Sequence, residues 1–355
     1  MKTLLHPNFK LNGEAFPSAE ALEKHAINLI EIGKNDAPAV GEFIVEWLNN
    51  EDFIIVKTSG STGVPKEIKL QKLHVFNSAA ATVNYFDLPK NTKALLCLSA
   101  EYIAGKMMLV RAMVAGWDLH IAAPGKNPLE KIDDDFDFTA MVPYQVFHSL
   151  KDLKKVKKLI IGGGAIPRKL EEQLQQVSTK IFATYGMTET ISHIAARPIN
   201  GAEKSSVFTA LPKVDFSQTE IGCLQIQAPE ISEEIVITND VVELLSPTSF
   251  KFLGRIDNVI NTGGVKVFPE TIEEKLSFHL SIPFFIASEK DEALGERVIL
   301  IVEDEEKSKL EDFSESFATL SPYEKPKKLY TILQFAYTET GKIKRAEVLK
   351  KLSLK

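Results

Sequence analysis

Apolar residues recur along this chain with two periods. Within residues 38–50, Val40, Phe43, Ile44, Trp47 and Leu48 take the spacing of a helix with one buried face. The run Phe53-Ile54-Ile55-Val56 is too short for a helix and predicts a buried strand. A turn-rich stretch over 58–65 ends it, 66–70 alternates like a strand, and 72–86 is helical again. From residue 94 a rhythm sets in. Short apolar strands at 94–98, 119–122, 138–142, 159–161 and 180–183 are interleaved with helices at 103–115, 143–150 and 168–177. Strands alternating with helices predict βα units and a parallel sheet. From 205 to 254 the helical period fades and short strands, such as 235–238, predict a β-rich subdomain. Gly263-Gly264 is a break. Beyond it the pattern predicts a helix at 269–276, strands at 284–287 and 298–302, an acidic helix near 304–318 and a strand at 330–335. The expected fold class is α/β. A large N-terminal domain (1–254) holds a parallel βα-layered sheet and the β-rich subdomain, and a small α+β C-terminal domain (255–355) is near the lower size of a self-sufficient unit.

Composition narrows the function classes. With 44% hydrophobic and 25% charged residues the 355-residue chain is ordinary for a globular protein. Its 48 acidic and 42 basic residues leave a net charge of −6, so a sequence-independent nucleic-acid binder, which needs a basic surface, is not expected. The cluster Lys151, Lys154, Lys155, Lys157 and Lys158 reads as a solvated face. Cys97 and Cys223 form neither a disulfide framework nor a CxxC pair, which suits a reducing compartment. No secretory leader is legible, and no window approaches the ~20 apolar residues of a membrane span. A cytoplasmic protein without a membrane partner is expected.

The most informative stretch is Thr58-Ser59-Gly60-Ser61-Thr62-Gly63-Val64-Pro65-Lys66, with four hydroxyls and two glycines in its first six residues. Glycines let backbone N–H groups approach an anion, hydroxyls donate to phosphate oxygens, and Lys66 supplies charge. It is not a Walker A loop, which needs four residues between its glycines and a following Gly-Lys-Ser/Thr. An ordinary Ser/Gly-rich turn is the alternative. Four further segments follow in order: Gly162-Gly163-Gly164-Ala165-Ile166-Pro167, Thr184-Tyr185-Gly186-Met187-Thr188-Glu189-Thr190, Asp240 with Gly254-Arg255-Ile256-Asp257, and Thr340-Gly341-Lys342-Ile343-Lys344-Arg345.

Together these five segments resemble the signature motifs of the adenylate-forming superfamily of acyl-CoA synthetases, peptide-synthetase adenylation domains and luciferases. The resemblance implies that residues 58–63 and Lys66 bind the phosphates of ATP, and that Gly163, Gly164 and Ala165 line the adenine. It implies further that Tyr185 stacks on the base beside Gly186, Thr188 bonds the α-phosphate, and Glu189 holds Mg²⁺, a hard cation suited to a carboxylate. Asp240 would bond the ribose hydroxyls with help from Arg255. Thr238-Asn239 departs mildly from the usual Thr-Gly before that aspartate. Asp257 would be the hinge of a mobile C-terminal domain, and Lys342 the catalytic cation that neutralises charge as a carboxylate attacks a polyanion. Taken singly, Arg255 and Asp257 could form a surface ion pair and Lys342 could be a solvated lysine. Only 57 residues precede Thr58, fewer than superfamily members carry, so an N-terminal subdomain is expected to be largely missing.

The segment Gly263-Gly264-Val265-Lys266-Val267-Phe268-Pro269-Glu270 resembles the lining of the pantetheine tunnel in CoA ligases, which puts Gly264 and Lys266 on CoA as co-substrate. A carrier-protein acceptor is the alternative. Tyr102, Lys106 and Arg111, with the Gly-Gly-Gly-Ala-Ile-Pro turn, look most like the o-succinylbenzoate–CoA ligase branch of menaquinone biosynthesis. Such an acid keeps an unreacted carboxylate that wants a buried cation, which Lys106 or Arg111 could supply. Both could equally lie on a helix surface. His193 could face the acyl group or be structural. The expected partner is therefore a small-molecule carboxylic acid, and a homodimer is left open. Another aryl or acyl acid ligase, a stand-alone adenylation enzyme and a non-catalytic nucleotide-binding homologue are the competing readings.

Overall fold

The computed structural model describes residues 4–34, 36–57, 67–280, 282–304, 313–337 and 343–352. Its core is a 13-stranded sheet. Across one half run the parallel strands Lys10–Leu11, Asp118–Ile121, Lys93–Leu96, Phe136–Met141, Val156–Ile161 and Lys180–Gly186, in that spatial order. Their near-continuous apolar runs follow from burial on both faces. Successive residues point to opposite sides: Leu96 and Ile160 join one core cluster, Leu95, Leu159 and Ile161 the other. The helices Ala37–Leu48, Lys72–Tyr85 and Ile103–Ala115 contribute to the first cluster, and Pro143–Ser149 and Arg168–Gln173 to the second. Ile103–Ala115 is buried on almost every side, with Met107 to Met113 all inaccessible, and ends on Gly116 in the left-handed conformation.

The β-rich stretch is a continuation of this sheet. His193–Pro198 pairs antiparallel with Lys180–Gly186. Beyond it come Phe208–Ala210, Ser249–Arg255, Val236–Ser246, Cys223–Gln227 and Asp215–Gln218, all antiparallel. From Ile260 onward the chain builds a separate five-stranded sheet from Ile260–Thr262, Val265–Val267, Phe284–Asp291, Gly295–Glu303 and Lys328–Ile332, with the helix Pro269–Leu276 packed on it. Among the described residues, none buried from Ile260 onward joins the clusters of the large sheet.

Two elements differ from expectation. Ala19–Ile32 is a helix that the apolar pattern did not single out. Its signals lie at its ends, where Ser18 caps the Ala21 N–H and Gly33 closes at φ +61°. The acidic helix expected near 304–318 falls partly on 305–312, outside the described residues, and Ser316–Thr319 is a single 3-10 turn. Cys97 and Cys223 are buried free thiols. Among the described residues no helix is long and apolar enough to cross a membrane.

Candidate nucleotide and acid site

The hairpin Phe53–Lys57/Glu67–Gln71 flanks the glycine- and hydroxyl-rich segment. Thr58, Ser59, Gly60, Ser61, Thr62, Gly63 and Lys66 lie outside the described residues, as does Lys342. What holds the hairpin is visible. Glu46, on Ala37–Leu48, accepts the Ile55 N–H at 2.6 Å. Lys106 donates to Glu46 Oε2 at 3.0 Å and to the Ile55 carbonyl at 2.7 Å. Its ammonium is therefore engaged by a carboxylate and a strand. Lys106 and Arg111 are five residues apart on one helix, about 140° round its axis, so they serve different faces. Tyr102, at the N-terminus of the same helix, is 48% exposed.

The remaining residues collect where the parallel strands end. Val156–Ile161 runs into Gly162, where an added Cβ would lie 2.9 Å from Thr184 Oγ1, and then into Gly163 at φ +80°. Gly163, Gly164 and Ala165 form an exposed backbone platform. Lys180–Gly186 ends beside it. At Gly186 a Cβ would sit 2.3 Å from the Ser192 carbonyl oxygen, so only glycine lets the strand and the returning chain approach so closely. Between them Thr188–Thr190 makes one 3-10 turn. Buried Thr190 accepts the Met187 N–H at 3.0 Å, and Ile191 closes the turn at φ +65°, a strained value for a β-branched residue. This presents Glu189 outward, with no hydrogen bond or ion pair among the described residues.

Tyr185, Asp240, Arg255 and Asp257 are brought together. The Tyr185 hydroxyl donates to Asp240 Oδ2 at 2.5 Å, and its ring packs on Phe208 and Phe250. Burial, and then the Asp240 charge, push the phenol well above its ordinary range. Arg255 lies 3.5 Å from Asp240 Oδ1 and 3.2 Å from Asp257 Oδ2, which also accepts from Asn239 at 3.2 Å. Asp240 is almost inaccessible (8%), while Arg255 is half exposed. A carboxylate offers about four lone-pair positions, so this one retains acceptor capacity for a diol.

A second polar group lies beneath the turn. Arg111 is buried, with no carboxylate beside it among the described residues. Nη2 donates to Ser192 Oγ at 3.2 Å and lies 3.5 Å from His193 Nδ1, and Nε has no partner among the described residues. Burial pushes the guanidinium down to about 9. Burial, with the Arg111 charge adding to it, holds His193 well below its usual range and hence neutral. His193 Nε2 contacts Thr82 Oγ1 at 3.3 Å, and Ser78 meets Ser192 at 2.9 Å. Ser78 and Thr82 were not singled out from sequence. The available signal was two hydroxyls four residues apart, beside Val75 and Ala79 on the buried face of their helix. Gly264, at φ +81°, and Lys266 are exposed beyond the one-turn helix at 256–258 and touch none of these groups.

Among the described residues no cluster of three His, Cys, Asp or Glu could hold a metal ion. The lone outward carboxylate of Glu189 fits a Mg²⁺ whose other ligands are phosphate oxygens and water, the usual way this ion is bound. A parallel sheet with its polar turns at the strands' C-terminal ends is a nucleotide-binding arrangement, and the order of these turns is that of the adenylate-forming class. The profile of the AMP-binding enzyme family matches residues 11–223, and the chain belongs to that family.

Relatives agree. A protein of Dyadobacter fermentans, described as acyl-CoA synthetase (AMP-forming)/AMP-acid ligase II-like, has a crystal structure with 35% sequence identity and a TM-score of 0.62, over 92% of this chain and 98% of that one. The 2-succinylbenzoate–CoA ligase of Escherichia coli K12 is 25% identical over 84% of this chain and 68% of its own length. The o-succinylbenzoate CoA synthetase of Bacillus subtilis, solved with its acyl-adenylate, shares the fold at a TM-score of 0.70 and 18% identity, over 83% of this chain and 68% of that one.

Proposed function

We propose that this protein is an ATP-dependent, AMP-forming acid–CoA ligase whose acid is a dicarboxylate of the o-succinylbenzoate type. In the first half-reaction a carboxylate oxygen attacks the α-phosphorus of ATP, and pyrophosphate leaves with the bridging oxygen. In the second, the CoA sulfur attacks the acyl carbonyl and AMP leaves. Residues 58–63 and Lys66 would hold the phosphates, Thr188 the α-phosphate, and Asp240 with Arg255 the ribose. Tyr185 and the platform Gly163 to Ala165 would hold the base. A Mg²⁺ on Glu189 would supply charge neutralisation. Lys342 would neutralise the forming pentavalent centre. Asp257, Gly264 and Lys266 would serve the second half-reaction, after the unit beyond residue 254 has turned.

The observation that carries the choice of acid is Arg111. A buried guanidinium lacking a carboxylate is costly unless a bound anion completes it, and a carboxylate that does not react is such an anion. Relatives named 2-succinylbenzoate–CoA ligase support the same reading. The experiment is pyrophosphate release with ATP, Mg²⁺ and a panel of acids, each with and without CoA. o-Succinylbenzoate should exceed 3-benzoylpropionate, which lacks the ring carboxylate. In Arg111→Met that preference should fall by at least about tenfold, with the KM for ATP little changed. If another acid wins, the choice of substrate is wrong. If no acid releases pyrophosphate although ATP binds, the ligase reading fails and a non-catalytic nucleotide-binding protein remains.

A further inference from the structure

The lysine cluster of residues 151–158 is more than a solvated face. Lys155 turns away, to Asp152 at 3.0 Å and the Leu129 carbonyl at 2.9 Å. Lys154, Lys157 and Lys158 instead line a cavity of about 600 Å³ together with Lys90 and Lys180. It lies at the N-terminal ends of Phe136–Met141, Val156–Ile161 and Lys180–Gly186, the edge of the parallel sheet opposite the nucleotide turns. Three separate stretches of chain thus bring five ammonium groups to one cavity, against two carboxylates, Asp87 and Asp137. Asp137 is already committed to Lys157 at 2.8 Å. Lys90, Lys154 and Lys180 have no hydrogen-bond or ion-pair partner among the described residues. Lys158 is partly buried and donates to the Phe86 carbonyl. Burial pushes its ammonium below the usual lysine range, and the charge of Lys180 adds to this against the opposing pull of Asp87.

Concentrating like charge in a concavity is unfavourable in the empty protein, and more so in a chain whose net charge is −6. We propose that this cavity is a binding site for a compact phosphate-bearing polyanion, separate from the nucleotide site. The volume is that of a small-molecule site, within the range of roughly 300–1,000 Å³. The lining offers the exposed hydroxyl of Ser178 to share phosphate oxygens with the lysines, while that of Thr92 is committed to the Pro89 carbonyl at 2.6 Å, and it has no aromatic ring on which a base could stack. The phosphate groups therefore carry recognition, whether they come from inorganic polyphosphate or from a nucleotide. The site does not depend on the ligase reading.

Lysine acylation footprinting read by mass spectrometry tests this on the intact protein, with inorganic tripolyphosphate as the probe and ADP as a second arm. Labelling of Lys154 and Lys180 should fall about fivefold at saturation and recover as ionic strength rises, while Lys213 and Lys251, ion-paired elsewhere, stay unchanged. Equal protection by ADP at matched phosphate charge means that phosphate alone is read, and tighter protection by ADP adds a contact from the nucleoside. Both support the site. In Lys154→Glu/Lys180→Glu, at two exposed positions outside the buried clusters, tripolyphosphate should protect Lys157 and Lys158 only at about tenfold higher concentration. Protection of Lys154 and Lys180 no greater than that of Lys213, or protection of Lys157 and Lys158 unaltered by the double substitution, overturns the proposal.

Discussion

Lys106 shows what a residue's neighbours add to its type. A lysine on the helix after Tyr102 is a sensible candidate for binding a carboxylate, and the sequence holds no sign of Glu46, sixty residues earlier, which engages it at 3.0 Å. The pair also grips Ile55, on the hairpin whose two strands flank residues 58–66. Lys106→Ala should therefore act through the nucleotide. We expect the KM for ATP to rise by about tenfold with the KM for the acid nearly constant, because removing Lys106 leaves the partly buried Glu46 with the Ile55 N–H but without its cation, and frees the Ile55 carbonyl. The opposite split, with the acid KM rising alone, would return Lys106 to the acid pocket. Arg111 was legible as a candidate, but its lack of a carboxylate among the described residues was not, since that is a property of everything packed round it. Tyr185, Asp240, Arg255 and Asp257 were legible as a group only through the order of their motifs. Their contacts arise because Val236–Ser246 pairs with Ser249–Arg255, setting Asp240 opposite Arg255.

At the scale of elements, the parallel strands were readable because burial on both faces leaves a continuous apolar run, and the helices between them because apolar residues recur at helical spacing, Ile103–Ala115 being apolar nearly all round. Ala19–Ile32 was missed although Leu22, Ala26, Leu29 and Ile30 keep helical spacing and Leu22 and Ala26 enter the core, and the register that fuses the β-rich stretch to the parallel half depends on pairings no local pattern encodes. Gly186 sits at that junction. Its Cβ in Gly186→Ala would press on backbone at Ser192 and His193, which cannot yield as a side-chain tip could, so the turn carrying Thr188 and Glu189 must move. We expect kcat/KM for ATP to fall at least about tenfold and stability by about 1–3 kcal/mol, with an unchanged far-ultraviolet circular dichroism spectrum. Full activity would show that the junction has slack. A second element carries a titration. On Pro269–Leu276, Glu273 accepts from the Ile286 N–H at 2.8 Å and from Arg345 at 2.7 Å, yet burial dominates and pushes its carboxyl up to about 7. The folded chain then holds this proton up to about pH 7, whereas the unfolded chain releases it near 4.5, so the contribution to stability falls as pH rises through that window. The unfolding free energy of the wild type minus that of Glu273→Gln should drop by about 3 kcal/mol between these pH values, measured by urea titration. A flat difference would mean that Arg345 keeps Glu273 ionised throughout.

The buried clusters of the described residues form two cores, each made of two clusters and joined near residues 256–258. The large one places the nucleotide turns at one edge of its sheet, and the small one bears Gly264 and Lys266. The join at 255–258 is light, as the proposed pivot requires. Arg255, Asp257 and Asn239 meet through solvent-exposed contacts of 3.2 Å, and exposed pairs of this kind hold little free energy. Heavier contacts between the two parts lie to one side, where Arg168 stacks over Phe278 and approaches Glu274 at 3.8 Å. If one site serves both half-reactions, the backbone at Asp257 must change its φ and ψ while the two cores stay intact. Proline there holds φ near −65° and restricts Ile256 as well, so Asp257→Pro should leave one conformation accessible. With acid and ATP alone, a single turnover should release pyrophosphate at close to the wild-type rate. CoA-dependent release of AMP should fall by at least about a hundredfold, and the adenylate should accumulate on the enzyme. Equal loss of both steps would place the pivot elsewhere, and no loss of either would mean that the thiol is admitted without rotation.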